Sequence, residues 1–114
     1  MKIKLLEIPR KFIVGKSQDI EMLDCGKIEL EDNEMISFVT IEGCEYDVCA
    51  KDWGFYATPS VNGRLVREGF ITALVKNTFD QYYVMLVDKN KVDSFNNYVE
   101  KENLILVQWL SELK

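Results

Sequence analysis

One stretch of the chain, WGFYATPSVNGR at residues 53–64, carries side chains of the kind that hold a small polar ligand. A tryptophan and a tyrosine offer flat apolar faces with a hydrogen-bonding edge, while an arginine offers a forked cation that suits a carboxylate, a phosphate or sugar hydroxyls. Serine and asparagine between them add short donors and acceptors. The predicted ligand-binding residues are Trp53, Tyr56, Ser60, Asn62, Arg64 and the nearby carboxylate Asp47.

The same stretch also has the features of a structural β-hairpin at a sheet edge. Thr58 precedes Pro59 and is pushed into an extended conformation, and Pro59 cannot donate a ladder hydrogen bond. Asn62-Gly63 is the strongest two-residue turn signal in the sequence. In this interpretation Trp53 fills the core and Arg64 pairs with a carboxylate such as Asp47. Sequence alone leaves both interpretations open.

Carboxylates just before this stretch raise the alternative of acid and base catalysis. Glu45 and Asp47 alternate onto one face of a predicted strand, and Asp52 follows it. Paired carboxylates act as acid and base when their surroundings separate their pKa values. The competing interpretation is a solvated strand face, so no catalytic residue is assigned.

The absence of histidine removes several kinds of site. Histidine-dependent triads and the common histidine metal centres cannot form without it. Cys25, Cys44 and Cys49 are an odd number without CxxC spacing, which favours reduced thiols over a disulfide framework. We therefore predict no metal site and no cofactor.

Composition and charge bound the class of protein. The 114 residues, 47% of them hydrophobic, predict one domain spanning residues 1–114. The net charge of −5, with no basic block, disfavours a nucleic-acid partner. No apolar run approaches the roughly 20 residues that span a bilayer, and MKIKLLEI is too short and too charged for a signal peptide. A cytoplasmic protein with no membrane partner is expected.

The elements that position these residues are mostly short strands. Alternating or apolar segments at residues 26–31, 34–41 and 44–51 are separated by the turn signals Asp32-Asn33 and Glu42-Gly43, which predicts a three-stranded antiparallel meander. Residues 70–76 and 81–88 predict a hairpin of strands buried on both faces. The N-terminal KIKLLEI and KFIV are further predicted strands, with Pro9 ending the first.

The period changes after residue 89. Val92, Phe95 and Val99 form one apolar stripe of a helix over residues 90–101. Residues 104–113 are ambiguous between strand and helix, and their β-branched residues favour a strand. The charged run at residues 100–102 is predicted to lie on the surface. The fold class is therefore α+β: a mainly antiparallel sheet, as a half-barrel or sandwich, with one C-terminal amphipathic helix.

Three functions fit these observations. The first is a small cytoplasmic non-enzymatic module that binds a polar metabolite or a peptide through Trp53 to Arg64. The second is a structural or accessory protein that acts through a partner interface or a homodimer, because aromatic and arginine residues are enriched at interfaces. The third is a small enzyme that uses Asp47 or Asp52 with Arg64.

Overall fold

A computed structural model describes all residues 1–114 and divides the strands over three antiparallel sheets. The strands are β1 (Lys2–Val14), β2 (Ile20–Glu29), β3 (Met35–Val39), β4 (Glu45–Lys51), β5 (Gly54–Ala57), β6 (Phe70–Lys76), β7 (Tyr82–Asp88) and β8 (Ile105–Trp109). The helices are α1 (Arg64–Arg67) and α2 (Val92–Lys101), and a short 3-10 helix, Leu110–Glu112, follows β8.

The first sheet is a long N-terminal hairpin of β1 and β2 alone. Lys2 lies opposite Glu29 at its base, and Val14 lies opposite Ile20 at the other end. The prediction that Pro9 ends the first strand is wrong, because β1 continues through it to Val14. Pro9 lies within a shift of register between Leu5 and Arg10, where its missing N–H costs no regular ladder bond.

The second sheet has the order β3-β4-β5. Turns form at both predicted positions. Asn33, with a φ of 68°, lies between β2 of the first sheet and β3, and Gly43, with a φ of 95°, lies between β3 and β4. The predicted meander was wrong in one respect, because β2 pairs with β1 and not with β3. The meander that forms is β3, β4 and β5.

The third sheet has the order β7-β6-β8, with α2 packed against it. The predicted hairpin of β6 and β7 is present, and the ambiguous tail forms strand β8. Ala73 and Val75 on one face of β6 form a core cluster with Phe95 of α2. Phe70 on the other face packs with Leu65 of α1 in a second cluster. Because both faces of β6 are buried, its side chains are mainly apolar on both faces.

The α+β class with mainly antiparallel strands and one main helix is confirmed. Many large apolar side chains nevertheless remain exposed, notably along β1, β2, β3, β5 and the first half of β7. Neither helix has the length and apolar character required to cross a lipid bilayer.

Candidate functional site

Arg64 lies in a network of polar side chains that joins α1 to the β3-β4-β5 sheet. Its Nη1 donates to Oδ2 of Asp47 at 3.2 Å and to Oε1 of Glu68 at 3.3 Å, and its Nη2 donates to Oγ1 of Thr58 at 3.0 Å. Ser37 on β3 donates to the other oxygen of Asp47 at 2.5 Å. The structure therefore brings two of the predicted site residues, Asp47 and Arg64, into direct contact.

This network keeps Asp47 ionised. The hydrogen bond from Ser37 and then that from Arg64 hold the pKa of the Asp47 carboxyl below its ordinary value. The Asp47 side chain is only 13% exposed, whereas that of Arg64 is 40% exposed. A carboxylate in these surroundings is an anchor for Arg64 and a weak proton acceptor.

The segment before Arg64 forms a helical turn, so the alternative of a hairpin turning at Asn62-Gly63 is wrong. Ser60 accepts a hydrogen bond at its Oγ from the backbone N–H of Arg64 at 3.2 Å, and its carbonyl accepts from Leu65. Asn62 donates from Nδ2 to the carbonyl of Leu113 at 2.9 Å. Ser60 thus stabilises the start of α1, and Asn62 ties this turn to the end of the chain. Burial of Leu65 beneath the turn accounts for the helical conformation.

Trp53 and Tyr56 come together but lie on the surface. Their rings stack with centroids 6.1 Å apart, and Trp53 is 69% exposed. Trp53 therefore does not fill the core. Met35 and Tyr56 both lie opposite Cys49, so they share one face of the sheet with it. None of the six predicted residues lines either of the two cavities described below.

A cavity of about 670 Å³ lies between the turn of the N-terminal hairpin and the end of α2. We call it the tip cavity, and we call residues 15–19 the hairpin tip. Val14, Gly15, Lys16 and Met22 line it from the hairpin, Asn77, Thr78, Phe79, Tyr83 and Met85 line it from β7 and the turn before it, and Tyr98, Glu102, Asn103 and Leu104 line it from the end of α2. Its volume falls in the range of roughly 300–1,000 Å³ that suits small ligands.

Glu102 is the most unusual group in this cavity. Although it carries a carboxyl group, the residue is only 5% exposed. Its Oε2 lies 2.6 Å from the hydroxyl oxygen of Ser17, which also lies 2.5 Å from Oδ1 of Asp19 and has a single proton to donate. Its Oε1 is buried against Gly15 and has no hydrogen-bond partner. A buried polar atom without a partner is costly, because it loses its hydrogen bonds to water and gains none in return.

The close approach of the hairpin tip to Glu102 depends on Gly15. A Cβ atom at Gly15 would lie 2.2 Å from Oε1 of Glu102, and Gly15 has a φ of 91°. Lys101 adds a second tie, since its Nζ donates to Asp19 of the tip at 2.7 Å. The tip is therefore held over the end of α2 by side chains on both partners.

Sequence reasoning missed this cavity. Glu102 stands in the run Glu100-Lys101-Glu102, which was predicted to lie on the surface; for Glu102 that prediction was wrong, because the hairpin tip covers it. Gly15 between Val14 and Lys16 was a usable signal, since a glycine at a turn marks either a positive φ or a close approach.

A smaller hollow of about 230 Å³ lies at the base of the hairpin. We call it the base hollow. It is wholly apolar and is lined by Ile28, Leu30, Ile36, Phe38, Val48 and Phe55. The hairpin thus contributes to a hollow at each end, against a different sheet each time.

Comparison with known proteins identifies no relative of this chain. No group of three or more acidic, cysteine or histidine side chains lies close enough together to hold a metal ion. No family model, no curated protein and no solved structure matches the chain.

Proposed function

We propose that this protein is a small non-enzymatic module that binds a small ligand in the tip cavity. The observation that carries the proposal is a cavity of about 670 Å³ whose lining is mainly apolar and includes the buried residue Glu102. Phe79, Tyr83 and Met85 supply apolar wall, and Lys16 and Asn103 supply polar groups. A mainly apolar wall with a few polar groups is typical of small-molecule sites.

The tip cavity supports ligand binding better than the Trp53 to Arg64 segment does. The guanidinium of Arg64 already has three side-chain partners, so a ligand would have to compete with Asp47, Glu68 and Thr58 for it. Trp53 and Tyr56 project from the surface and enclose nothing on their own.

The surroundings of Asp47 support a binding role over an enzymatic one. Its lowered pKa and its two hydrogen-bonding partners make it a poor general base at neutral pH. A cytoplasmic location is part of the proposal, and the three free cysteines are its support, because reducing compartments keep thiols free.

Filling the tip cavity tests the proposal. Met22 and Leu23 are neighbours on β2 with similar exposure, 45% and 53%, but only Met22 lines the cavity. Small aromatic fragments should bind the wild type and shift the amide resonances of residues 77–85 and 102–104 in NMR spectra. We expect Met22→Trp to abolish this binding and Leu23→Trp to preserve it. Equal binding by the two variants would place the fragments elsewhere and contradict the proposal.

A protein interface is the second candidate function, and one specific feature favours it. Trp53, Tyr56 and Met35 form an exposed apolar cluster on one face of the β3-β4-β5 sheet, and tryptophan and tyrosine are frequent interface anchors. Here we propose a homodimer. Light scattering at increasing concentration tests it: the wild type should reach the mass of two chains and Trp53→Ser should stay at one. A wild type that stays monomeric at millimolar concentration would rule this candidate out.

A further inference from the structure

We propose that the ligand of the tip cavity is a short extended peptide, which pairs with the free edge of β7 and places an apolar side chain in the cavity. This inference rests on the proposed function of the tip cavity and adds the chemical class of the ligand. Its basis is the hydrogen-bonding capacity of the β7 backbone and the position of the cavity beside that strand.

Strand β7 is an edge strand with unused backbone hydrogen-bonding groups, because it pairs only with β6. At the two ends of this pairing, the carbonyl of Gln81 accepts from the N–H of Asn77, and the N–H of Lys89 donates to the carbonyl of Gly69. Residues that bond to the neighbouring strand alternate in an antiparallel ladder, so the odd-numbered residues of β7 bond to β6. The N–H and C=O groups of its even-numbered residues therefore point away from the sheet.

The outward groups at the middle of this edge belong to Tyr82, Val84 and Leu86, and no other backbone segment bonds to them. Tyr82 is 56% exposed and Val84 is 60% exposed, so a binding partner can reach this part of the edge. Residues 81–87 include no charged residue, proline or glycine, and the register of β7 with β6 has no shift. An exposed, regular and apolar edge of this kind readily pairs with a further strand.

The tip cavity lies beside this edge strand. Tyr83 and Met85 of β7 line it, whereas no residue of β6 or β8 does. Side chains directly opposite each other on paired strands point to the same face of a sheet. A strand added beside β7 would therefore present every second side chain on the face that carries Tyr83 and Met85. Because the cavity wall is mainly apolar, it suits a large aliphatic or aromatic side chain.

Charge restricts the peptide further. Strand β7 lies between Asp80 and Asp88, and the chain has a net charge of −5. An acidic peptide would therefore be repelled. The expected ligand is a neutral or basic peptide with apolar side chains at alternate positions. Its main chain would supply affinity, and its alternate side chains would supply specificity.

A designed peptide tests this arrangement. Acetyl-KTVTFTVTK-amide alternates apolar residues with threonine, and its phenylalanine is the side chain expected in the cavity. Titrated into the wild type and followed by NMR, it should slow amide hydrogen exchange at Tyr82, Val84 and Leu86 and shift the resonances of residues 102–104. Replacing its phenylalanine by serine should weaken binding by a factor of about 10 or more. Equal affinity of the serine peptide would show that the cavity receives no side chain and would overturn the inference.

Methylation of single peptide nitrogens tests the pairing with β7. The threonines next to phenylalanine aim their N–H groups at β7, whereas the N–H of phenylalanine points away. N-methylation of the threonine before phenylalanine should therefore weaken binding by a factor of about 10, and N-methylation of phenylalanine should have little effect. Equal effects of the two methyl groups would overturn the pairing.

Val84→Pro tests the same contact from the side of the protein. It removes an outward N–H and no hydrogen bond to β6, so the variant should fold and should bind the peptide about tenfold more weakly. Val84→Thr is the matched control, because it keeps both the N–H and a branched side chain. Equal binding by the two variants would contradict edge pairing. If Val84→Pro does not fold, the methylated peptides decide the question with the wild type.

The remaining outcomes separate this inference from the proposed function. If aromatic fragments bind in the tip cavity and the peptide does not, the peptide class fails and the binding function stands. If neither binds, both fail. Peptide binding that Met22→Trp leaves unchanged would place the peptide outside the cavity and overturn the inference. A wild-type dimer that Val84→Pro dissociates would assign the edge to a second copy of the chain and overturn it as well.

Discussion

The guanidinium of Arg64 was expected to bind a ligand, but in the structure it binds side chains of the protein itself. It connects α1 to strand β4 through Asp47 and also reaches Glu68 on its own helical turn. Its side chain is 40% exposed, so solvent screens part of each ion pair. The stabilisation from Arg64 is therefore intermediate between that of a buried and that of a surface pair.

Arg64→Ala should lower the free energy of unfolding by about 1–2 kcal/mol, because Asp47 loses a charged hydrogen-bond donor but keeps Ser37. Arg67→Ala is the control, since Arg67 is exposed on the same helix and makes no ion pair. Urea denaturation measures both. Equal stability of the two variants would show that the Arg64 network contributes nothing to folding.

The stabilisation from Asp47 should depend on pH. Since its pKa is lowered in the folded protein, ionised Asp47 stabilises the fold above the unfolded pKa of about 4, and this contribution is lost as the pH falls through the folded pKa. Asp47→Asn should therefore be less stable than the wild type at pH 7, and the difference should shrink as the pH falls below about 4. Urea denaturation at several pH values measures it. A difference that stays constant down to pH 2 would contradict this origin.

Individual residues were predictable from sequence where their partners are local. The pairing of Arg64 with Asp47 was one of the alternatives, since both belong to neighbouring elements. Glu102 was not predictable, because the hairpin tip that buries it is about 85 residues away in the chain. Charge alone indicated a solvated surface, which is correct for most charged runs.

Among the elements, α2 follows most directly from its sequence pattern. The stripe of Val92, Phe95 and Val99 faces the core as predicted, and Phe95 packs against Trp109 with ring centroids 5.5 Å apart. The helix begins at Val92, within two residues of the predicted start, and ends at the predicted Lys101. Its apolar period decides both its type and its orientation.

Phe95→Ala should reduce the free energy of unfolding by about 3 kcal/mol, because it removes a buried ring from the core beneath α2. Asn96→Ala, on the exposed side of the same helix, should change stability little. Melting temperatures compare the two variants directly. Similar values for both would mean that the buried face of α2 is assigned incorrectly.

The hairpin tip offers a similar comparison between two glycines. Gly15 and Gly43 have φ values of 91° and 95°, but a Cβ atom meets Glu102 only at Gly15 and has open space at Gly43. Gly43→Ala should cost about 1 kcal/mol from backbone strain alone. Gly15→Ala should cost more, and it should also speed hydrogen exchange in residues 15–20. Unchanged exchange there would show that Gly15 does not govern the approach of the tip.

The remaining elements depend on pairing that the sequence pattern does not encode. Asn62-Gly63 has the composition of a hairpin turn, yet burial of Leu65 gives this segment a helical turn instead. The strand predicted at residues 26–31 is only the second half of β2, which begins at Ile20 and ends at Glu29. Its alternation does not specify the partner, and β1 pairs with it first along the chain. Local signals thus gave the types of most elements and only part of the topology.

Across the whole molecule, β6 is common to both core clusters. One face contacts α2, and the other contacts the cluster that contains Cys44 and Leu65. The β3-β4-β5 sheet and the β7-β6-β8 sheet are therefore expected to unfold together. The N-terminal hairpin contributes no residue to the buried members of either cluster, so it is expected to open more easily.

The free cysteines report on these two kinds of opening. Cys25 lies on the hairpin and is exposed, whereas Cys44 is buried in the cluster beneath β6. A thiol reagent should therefore label Cys25 at once, and it should label Cys44 only at the rate of global unfolding. Mass spectrometry of peptides from a labelling time course measures both rates. Labelling of Cys44 that is independent of denaturant would indicate local opening of its cluster.

Strand β2 is a wall of two separate hollows. Met22 lines the tip cavity and Ile28 lines the base hollow. A displacement of β2 by an occupant of one hollow would change the shape of the other. If each hollow bound an occupant, thermodynamic linkage would require the effect to be reciprocal. The occupant of the base hollow would change the affinity of the tip cavity by the same factor as the occupant of the tip cavity changes the affinity of the base hollow. A long hairpin that borders two hollows would in this way allow a protein of this size to couple two ligands without a second domain.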